Sequence, residues 1–541
     1  MHESFRGFCW ALPGAFPFRA QRLLGPSHND MRKMRSSCSL VFCWSVVSLL
    51  LLLTPFSHLA AAVITASSAS RFDVGSAVAV AADGDTVAVP RGTAFWTNTL
   101  TITRAITLQG AGVGQTIIKD YITNSTGAII DMTAVANKNS RITGFEFGNG
   151  NRVVSSYAGS IALKGINTNG GTVRLDHCKF DRLLSHFVAI HGSVGVIDHC
   201  DFAFDGPRIG IYVYDLNWDG KTYGDGSWAT PVDWNGGNWI VVEDCSFTNT
   251  VTHYAVIDSI GGSRYVFRHN KVHNGWVEAH GTESGNRFRG TRAVQVYNNA
   301  FNSTRSGFGL VNLRGGTATV CSNTATGYGN TTAVHLGTYR AFFKFVPWGG
   351  ADGTNAWDNN VVGGPFATGT HNGASGVTTL TDSSKNWTPN QWVGFTVRNS
   401  RTDRHSEIIT NTSTTITYGL IAGFGPDMTF SNGDDYAILK VGEAIDQPGK
   451  GLGDLLRGDY PTPVWLNQAD EPVYSWANTV NGVNGGIASQ NAFIRNGEHY
   501  FNNIPRPSFA PMSYPHPLIT GSGTGGGSVA NPRNLRVVDV Q

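Results

Sequence analysis

The chain has 541 residues, with 40 Lys and Arg against 38 Asp and Glu, for a formal charge of +2. Charges this balanced give no long-range attraction to nucleic acid or to an anionic membrane surface, so neither is expected as a partner. Charged residues make up 14% of the chain and glycines number 66; against a usual charged share of roughly 25%, this is a turn-rich, β-rich profile.

The first segment reads as an address. Arg32, Lys33 and Arg35 precede an apolar run from Leu40 to Leu53, and Leu59-Ala60-Ala61-Ala62 offers a small-residue cleavage site before Val63. That is the pattern of a signal peptide. Residues 1–62 are therefore taken as leader, with Met31 as an alternative start, and the mature chain is expected to be secreted or periplasmic. The run is shorter than the roughly 20 apolar residues of a spanning helix, so no membrane association is expected after cleavage. Cys178, Cys200, Cys245 and Cys321 remain in the mature chain. They lack the close paired spacing of a zinc site.

A repeat runs through the middle of the chain. Leu175-Asp-His-Cys178-Lys-Phe, Ile197-Asp-His-Cys200-Asp-Phe and Val242-Glu-Asp-Cys245-Ser-Phe begin it. Copies centred on Asn270, Asn299, Asn323 and Asn360 continue it, at intervals of about 22 to 29 residues where nothing is inserted, the interval of a solenoid coil. The segments are short and β-branched, which favours strands. A recurrent Asn or Cys at one turn per coil implies a buried ladder, each side chain stacked on its equivalent about 4.8 Å away.

These repeats, with Ala82-Asp-Gly-Asp-Thr-Val-Ala-Val-Pro-Arg-Gly, Leu100-Thr-Ile-Thr, Ile106-Thr-Leu-Gln-Gly-Ala-Gly and Thr116-Ile-Ile-Lys, resemble the pectate-lyase-like superfamily. The resemblance implies an all-β fold, a right-handed parallel β-helix, over 63–368. A small all-β module is expected at 369–440, a C-terminal segment packing on the helix at 441–520, and a Gly-rich linker and truncated tail at 521–541. Asn531-Pro-Arg-Asn-Leu-Arg-Val-Val looks like a first fibronectin-type strand.

An insertion from Leu216 to Trp239 is rich in aromatics. Trp228 and Trp234 are candidates to stack on sugar faces; the other reading is a loop folded over its own small core.

Chemistry is expected on the strand that follows each ladder turn. Period-two alternation places His191, Tyr214, Asp258, His280, Asn312 and His335 in one outward column. The segment from Trp276 to Arg292 adds Glu278, Glu283, Arg287, Arg289 and Arg292, and Arg314 follows one coil on. Catalysis is assigned to Asp258, Glu278, His280 and Arg289. Binding is assigned to His191, Tyr214, Glu283, Arg287, Arg292, Asn312, Arg314, His335, Trp228 and Trp234.

The leading expectation is β-elimination on a uronic-acid polysaccharide, with His280 or an arginine as base and Arg287, Arg289 or Arg314 neutralising the uronate. A glycoside hydrolase using Asp258 and Glu278 is the alternative, and a non-catalytic glycan-binding protein a third. No cofactor is expected. The calcium-binding aspartates of pectate lyases are not evident, and the protein is expected to act as a monomer.

Overall fold

The computed structural model describes residues 61–521 and 536–539, apart from 125, 153–158, 168, 215–217, 285–286, 306, 308, 421–427 and 454–467. All of the leader but residues 61 and 62 therefore lies outside the described residues, as does most of the Gly-rich linker.

The fold is a parallel β-helix. Three long sheets run along it, with 13, 11 and 10 strands, and each coil gives one strand to each in turn. One coil shows the pattern: Val194–Asp198 joins the first sheet, Asp201–Phe204 the second and Ile211–Tyr214 the third. The next coil repeats it with Ile240–Glu243, Ser246–Asn249 and Tyr254–Ile260, all paired in parallel with their predecessors. Alternate residues point inward, so β-branched and aromatic side chains stack on their own kind through the lumen. Phe147, Phe180, Phe202 and Phe247 form one such stack, with successive centroids 5.4, 4.8 and 4.6 Å apart.

The expected ladder is present at the turn from the first sheet to the second. The thiols of Cys178, Cys200 and Cys245 donate to the carbonyls of Asp176, Asp198 and Glu243 at 3.2, 3.3 and 3.3 Å. Asparagines then take over. Asn270 and Asn299 donate their amides to Asn299 and Asn323 at 3.2 and 2.9 Å. The residue before each rung is left-handed, including His177, His199, Asp244, His269, Asn298 and Ser322 at φ between 49° and 57°. That conformation turns the chain sharply enough to drop the next side chain into the lumen.

The expectation fails at Asn360. This residue sits in a short antiparallel pair with Val441–Glu443, and its amide donates to the Asn355 carbonyl at 2.7 Å. The next rung is Asn478, which accepts from the Asn323 amide at 2.9 Å. The β-helix is thus interrupted after about residue 338 and resumes with Val473–Trp476, paired in parallel with Thr317–Cys321. The six-residue template matched any polar turn between apolar flanks, and pairing across a long insertion leaves no local mark. Inside that insertion, Ala367–Thr370 to Asp435–Leu439 build the expected module, an antiparallel six-stranded sheet. It has its own core around Leu380, Val397, Ile408 and Ile438.

The first coil is covered: helix Arg71–Val80 packs against it and is capped by Ser70, which accepts from the Asp73 amide. The C-terminal segment, residues 503–520, runs along the outer face of the first sheet over its middle strands. There Phe509, Met512, Leu518 and Ile519 close over Val196, Val241, Val266 and Ala293. Arg268 anchors this strap, pairing with Glu243 at 2.6 Å and donating to the carbonyls of Met512 and Ser513. Strand Arg536–Asp539 pairs in parallel with Ala62–Thr65, extending the first sheet at its N-terminal edge.

Candidate active site

The third sheet carries the titratable cluster. Register sets its rows, since residues paired on successive coils sit one strand spacing apart. Tyr212 is paired with Asp258, Glu278 with Asn312, and Asn312 with His335. The sequence column was therefore displaced by two residues at several coils. His191 and Tyr214 oppose each other in the neighbouring column, and Glu278, not His280, occupies the row of Asn312. A bulge between Ala255 and Ile257 adds to the offset.

Asp258 is buried, and its Oδ1 accepts from His280 Nδ1 at 2.6 Å and from the Ser259 amide at 2.7 Å. In the neutral imidazole, this bond places the proton on Nδ1 and leaves the lone pair on Nε2. Nε2 has no hydrogen-bond partner among the described residues, and the His280 side chain is 22% exposed. An imidazole so anchored is oriented as a base.

Glu278 is 5% exposed and is held from three directions. Trp276, two residues earlier on the same strand face, donates Nε1 to Oε2 at 2.6 Å. Asn312, on the next coil, donates to both carboxylate oxygens at 3.0 and 3.1 Å. Its own Oδ1 lies 3.1 Å from His335 Nδ1, which donates and so fixes the amide orientation. Arg314 Nε lies 2.9 Å from Glu278 Oε1 and 3.5 Å from Glu283 Oε1. Gly281 permits the approach of Glu283, since a Cβ there would come within 2.2 Å of Glu283 Oε2. From inside the lumen, Tyr265 donates to the Glu278 carbonyl at 2.9 Å, fixing the strand.

Asp258, Glu278 and Glu283 are three buried carboxyls: Glu278 and Glu283 share the Arg314 guanidinium, which lies over the Tyr339 ring at 4.6 Å, and Asp258 is paired with His280. Burial, reinforced by the Asp258 charge, pushes the Glu278 carboxyl above its ordinary range despite Arg314. The cluster accordingly combines a buried carboxyl raised above its ordinary range with an imidazole held by a second carboxylate, a pairing that could supply an acid and a base.

Other expected residues lie elsewhere. Trp228 is fully buried and donates to the Gly290 carbonyl at 2.8 Å. Trp234 packs on Trp239, with the Arg506 guanidinium 3.8 Å over it. The aromatic insertion therefore folds over its own core, and neither ring is a sugar platform. The arginines are likewise internal. Arg287 pairs with Asp225 at 2.8 Å, Arg289 forms a fork to Asp446 at 2.7 and 2.6 Å, and Arg292 pairs with Glu471 at 2.6 Å. Arg289 and Arg292 are 0% exposed, so the expected catalytic role of Arg289 gives way to a clamp. A row of charges after a strand end reads the same in sequence whether its partners are substrate groups or carboxylates 62 to 179 residues away.

Sequence reasoning missed Trp276 and Tyr339 as site residues. The same-face spacing of Trp276 and Glu278 was a usable signal; Tyr339 had none. Among the described residues, two triads bring possible metal-binding atoms together, Asp176-His177-Asp198 and Glu443-Asp470-His499. Each is already met by two cations, the first by Arg141 and Arg174 at 2.6 and 2.9 Å, the second by Lys450 at 2.8 and 2.7 Å and Arg495 at 3.3 Å. A shallow concavity of 470 Å³ lined by Thr248, Lys271, His273 and Asn302 lies on the second sheet, away from the carboxyl cluster.

No family model matches the chain, and no curated protein matches it. Among solved structures, ORF18 of Geobacillus virus E2 aligns with 49% of this chain and 51% of its own length at 15% identity, with a TM-score of 0.29. The match spans about half of that structure, and a likeness this slight bears on neither fold nor activity.

Proposed function

We propose that this chain is a secreted, monomeric enzyme of the pectate-lyase-like superfamily that hydrolyses glycosidic bonds in a polysaccharide. The observation that carries the reading is the juxtaposition of a buried Glu278, its carboxyl raised above the ordinary range, with an imidazole anchored on Asp258. In this mechanism Glu278 donates its proton to the departing glycosidic oxygen as the C–O bond breaks. His280 Nε2 takes a proton from the water that attacks the anomeric carbon, and Asp258 supports the imidazolium that forms. Exchange with solvent then returns a proton to Glu278 and removes one from His280, and a single displacement inverts the anomeric centre.

The β-elimination reading finds less support. It needs a guanidinium able to meet a uronate, and Arg287, Arg289, Arg292 and Arg314 are each paired with an internal carboxylate. Elimination and hydrolysis leave different products, so one assay separates them. The mature protein is incubated with a panel of neutral and acidic polysaccharides while reducing ends and the ultraviolet absorbance of unsaturated uronides are followed together. Reducing ends without absorbance are expected, and Glu278→Gln abolishes them. Absorbance rising with reducing ends would establish a lyase instead; no product on a broad panel would end the enzyme reading.

A further inference from the structure

One row of the third sheet continues past Glu278 over three further coils. Glu278 is the in-register partner of Asn312, Asn312 of His335, and His335 of Ala488. Asn312 is buried and His335 half-buried. The His335 Nδ1 lies 3.1 Å from Asn312 Oδ1, and Asn312 Nδ2 lies 3.0 and 3.1 Å from the two Glu278 oxygens. A side-chain amide therefore stands between an imidazole and a carboxyl, its oxygen toward the first and its nitrogen toward the second.

That orientation suits an ionised Glu278, because an amide nitrogen can only donate. Trp276 and Arg314, which also meet the carboxyl oxygens, are donors as well. A proton held on Glu278 needs an acceptor. Of these three partners only Asn312 can supply one, by turning its oxygen toward the carboxyl. Its nitrogen would then face His335 Nδ1, which must accept rather than donate. A neutral imidazole has that second form, with its proton on Nε2. Burial lowers His335 below its ordinary range, which keeps the ring neutral near pH 7. Tyr339 is a further hydrogen-bond partner of Asn312, and its hydroxyl, able to donate or accept, fits either orientation. Around Glu278, burial favours the acid, Arg314 opposes it, Asp258 favours it and His280 opposes it, while Glu283 shares Arg314. Hydrogen bonds made to one form or the other shift such a balance.

From this geometry we infer that Asn312 and His335 are positioning residues that form a relay for the Glu278 proton. When Glu278 is ionised, Asn312 presents its nitrogen and His335 carries its proton on Nδ1. When Glu278 takes a proton from solvent, Asn312 rotates to present its oxygen, and His335 exchanges its Nδ1 proton for one on Nε2. One proton is gained, at Glu278, and the imidazole stays neutral throughout. The inference rests on the reading of Glu278 as the acid and adds how that acid is held. The amide accepts from the protonated form before the leaving oxygen takes the proton, and donates to the carboxylate afterwards.

Nuclear magnetic resonance of the full chain, isotope-labelled in its histidine ring nitrogens, reads the tautomer without any substrate, since protonated and unprotonated ring nitrogens differ in shift. The His335 signals are assigned by their loss in His335→Gln, and the Glu278 carboxyl is followed by infrared difference spectra against Glu278→Gln. As pH rises, His335 is expected to change from Nε2–H to Nδ1–H with the same midpoint as Glu278. Glu278→Gln, which removes the titrating group at nearly constant shape, should abolish that change. Asn312→Leu should abolish it as well while Glu278 still titrates. A single His335 tautomer held across the Glu278 midpoint would overturn the relay. So would a Glu278 that keeps one form wherever the chain is folded, or a tautomer change that persists in Glu278→Gln or in a folded Asn312→Leu. A coupled titration in a protein whose Glu278→Gln variant cleaves polysaccharide at the unmutated rate counts against the Glu278 chemistry and leaves the relay standing.

Discussion

At the scale of single residues, the site is defined by how two carboxyls are treated differently. Asp258 is tied to an imidazole and a backbone amide, whereas Glu278 is sealed behind Trp276, Asn312 and Arg314. Burial followed by the Asp258 charge raises the Glu278 carboxyl. A group with a raised folded value binds its proton through a wider pH range in the folded chain, so the acid form is lost only as pH rises through that raised value. Turnover should therefore fall on the alkaline side as Glu278 ionises. Replacing Asp258 with Asn removes a charge that raises Glu278, so the alkaline limb should move to lower pH while turnover drops by about 10²–10⁴-fold. A pH–rate profile of Asp258→Asn checks both; an unmoved limb would separate Asp258 from Glu278. A different residue effect concerns the backbone. Ala477 occupies the left-handed position before the last rung at φ 53°, where the other coils use His, Asp, Asn or Ser. An L residue without a short polar side chain is strained there by about 1–2 kcal/mol. Ala477→Asn should recover about 1 kcal/mol of this, read as a higher urea midpoint at unchanged slope.

At the scale of elements, the ladder shows what the sequence could and could not reveal. Its rungs at Cys178, Cys200, Cys245, Asn270, Asn299 and Asn323 were legible because the turn demands the same geometry on every coil: a left-handed residue, then a small polar side chain pointing inward. Asn360 was misread and Asn478 missed, because nothing local distinguishes a rung from a polar turn once an insertion intervenes. The outward column was legible as chemistry but not as register. Alternation identifies the outward face, but a two-residue displacement keeps every side chain on that face, so His191 and Tyr214 were placed in the Asp258 row with no violation of pattern. The ladder is also testable as an element. Asn299 donates to the Phe267 carbonyl and to Asn323, and accepts from the backbone and side-chain amides of Asn270. Asn299→Ala leaves several buried groups unpaired, at about 1–3 kcal/mol for each one left without a partner. Asn299→Cys should cost less, since thiols already serve three successive coils. If the Ala and Cys variants unfold at the same denaturant concentration, the ladder's hydrogen bonds are not what holds these turns.

For the whole molecule, the charges that looked like a binding loop join distant parts of the chain. Arg289 ties the loop after Glu278 to Asp446, 157 residues onward, and also reaches Asp225 in the aromatic insertion at 3.5 Å. Arg292 makes a similar link to Glu471, just before the helix resumes. These links hold together the interrupted coil, so their loss should be felt as stability. Arg289→Met would leave Asp446 as an uncompensated buried charge and should cost about 3–5 kcal/mol. Adding Asp446→Asn removes the orphaned charge while keeping a short polar side chain at this left-handed position, φ 57°, and the double variant should regain part of that loss. Turnover supplies the opposing test. Arg289 is fully buried, so at temperatures well below the unfolding midpoint the double variant should hydrolyse substrate within a few-fold of the unmutated protein. A double variant with a normal midpoint and turnover reduced by a hundredfold or more would instead place Arg289 in the chemistry, as the sequence alone suggested.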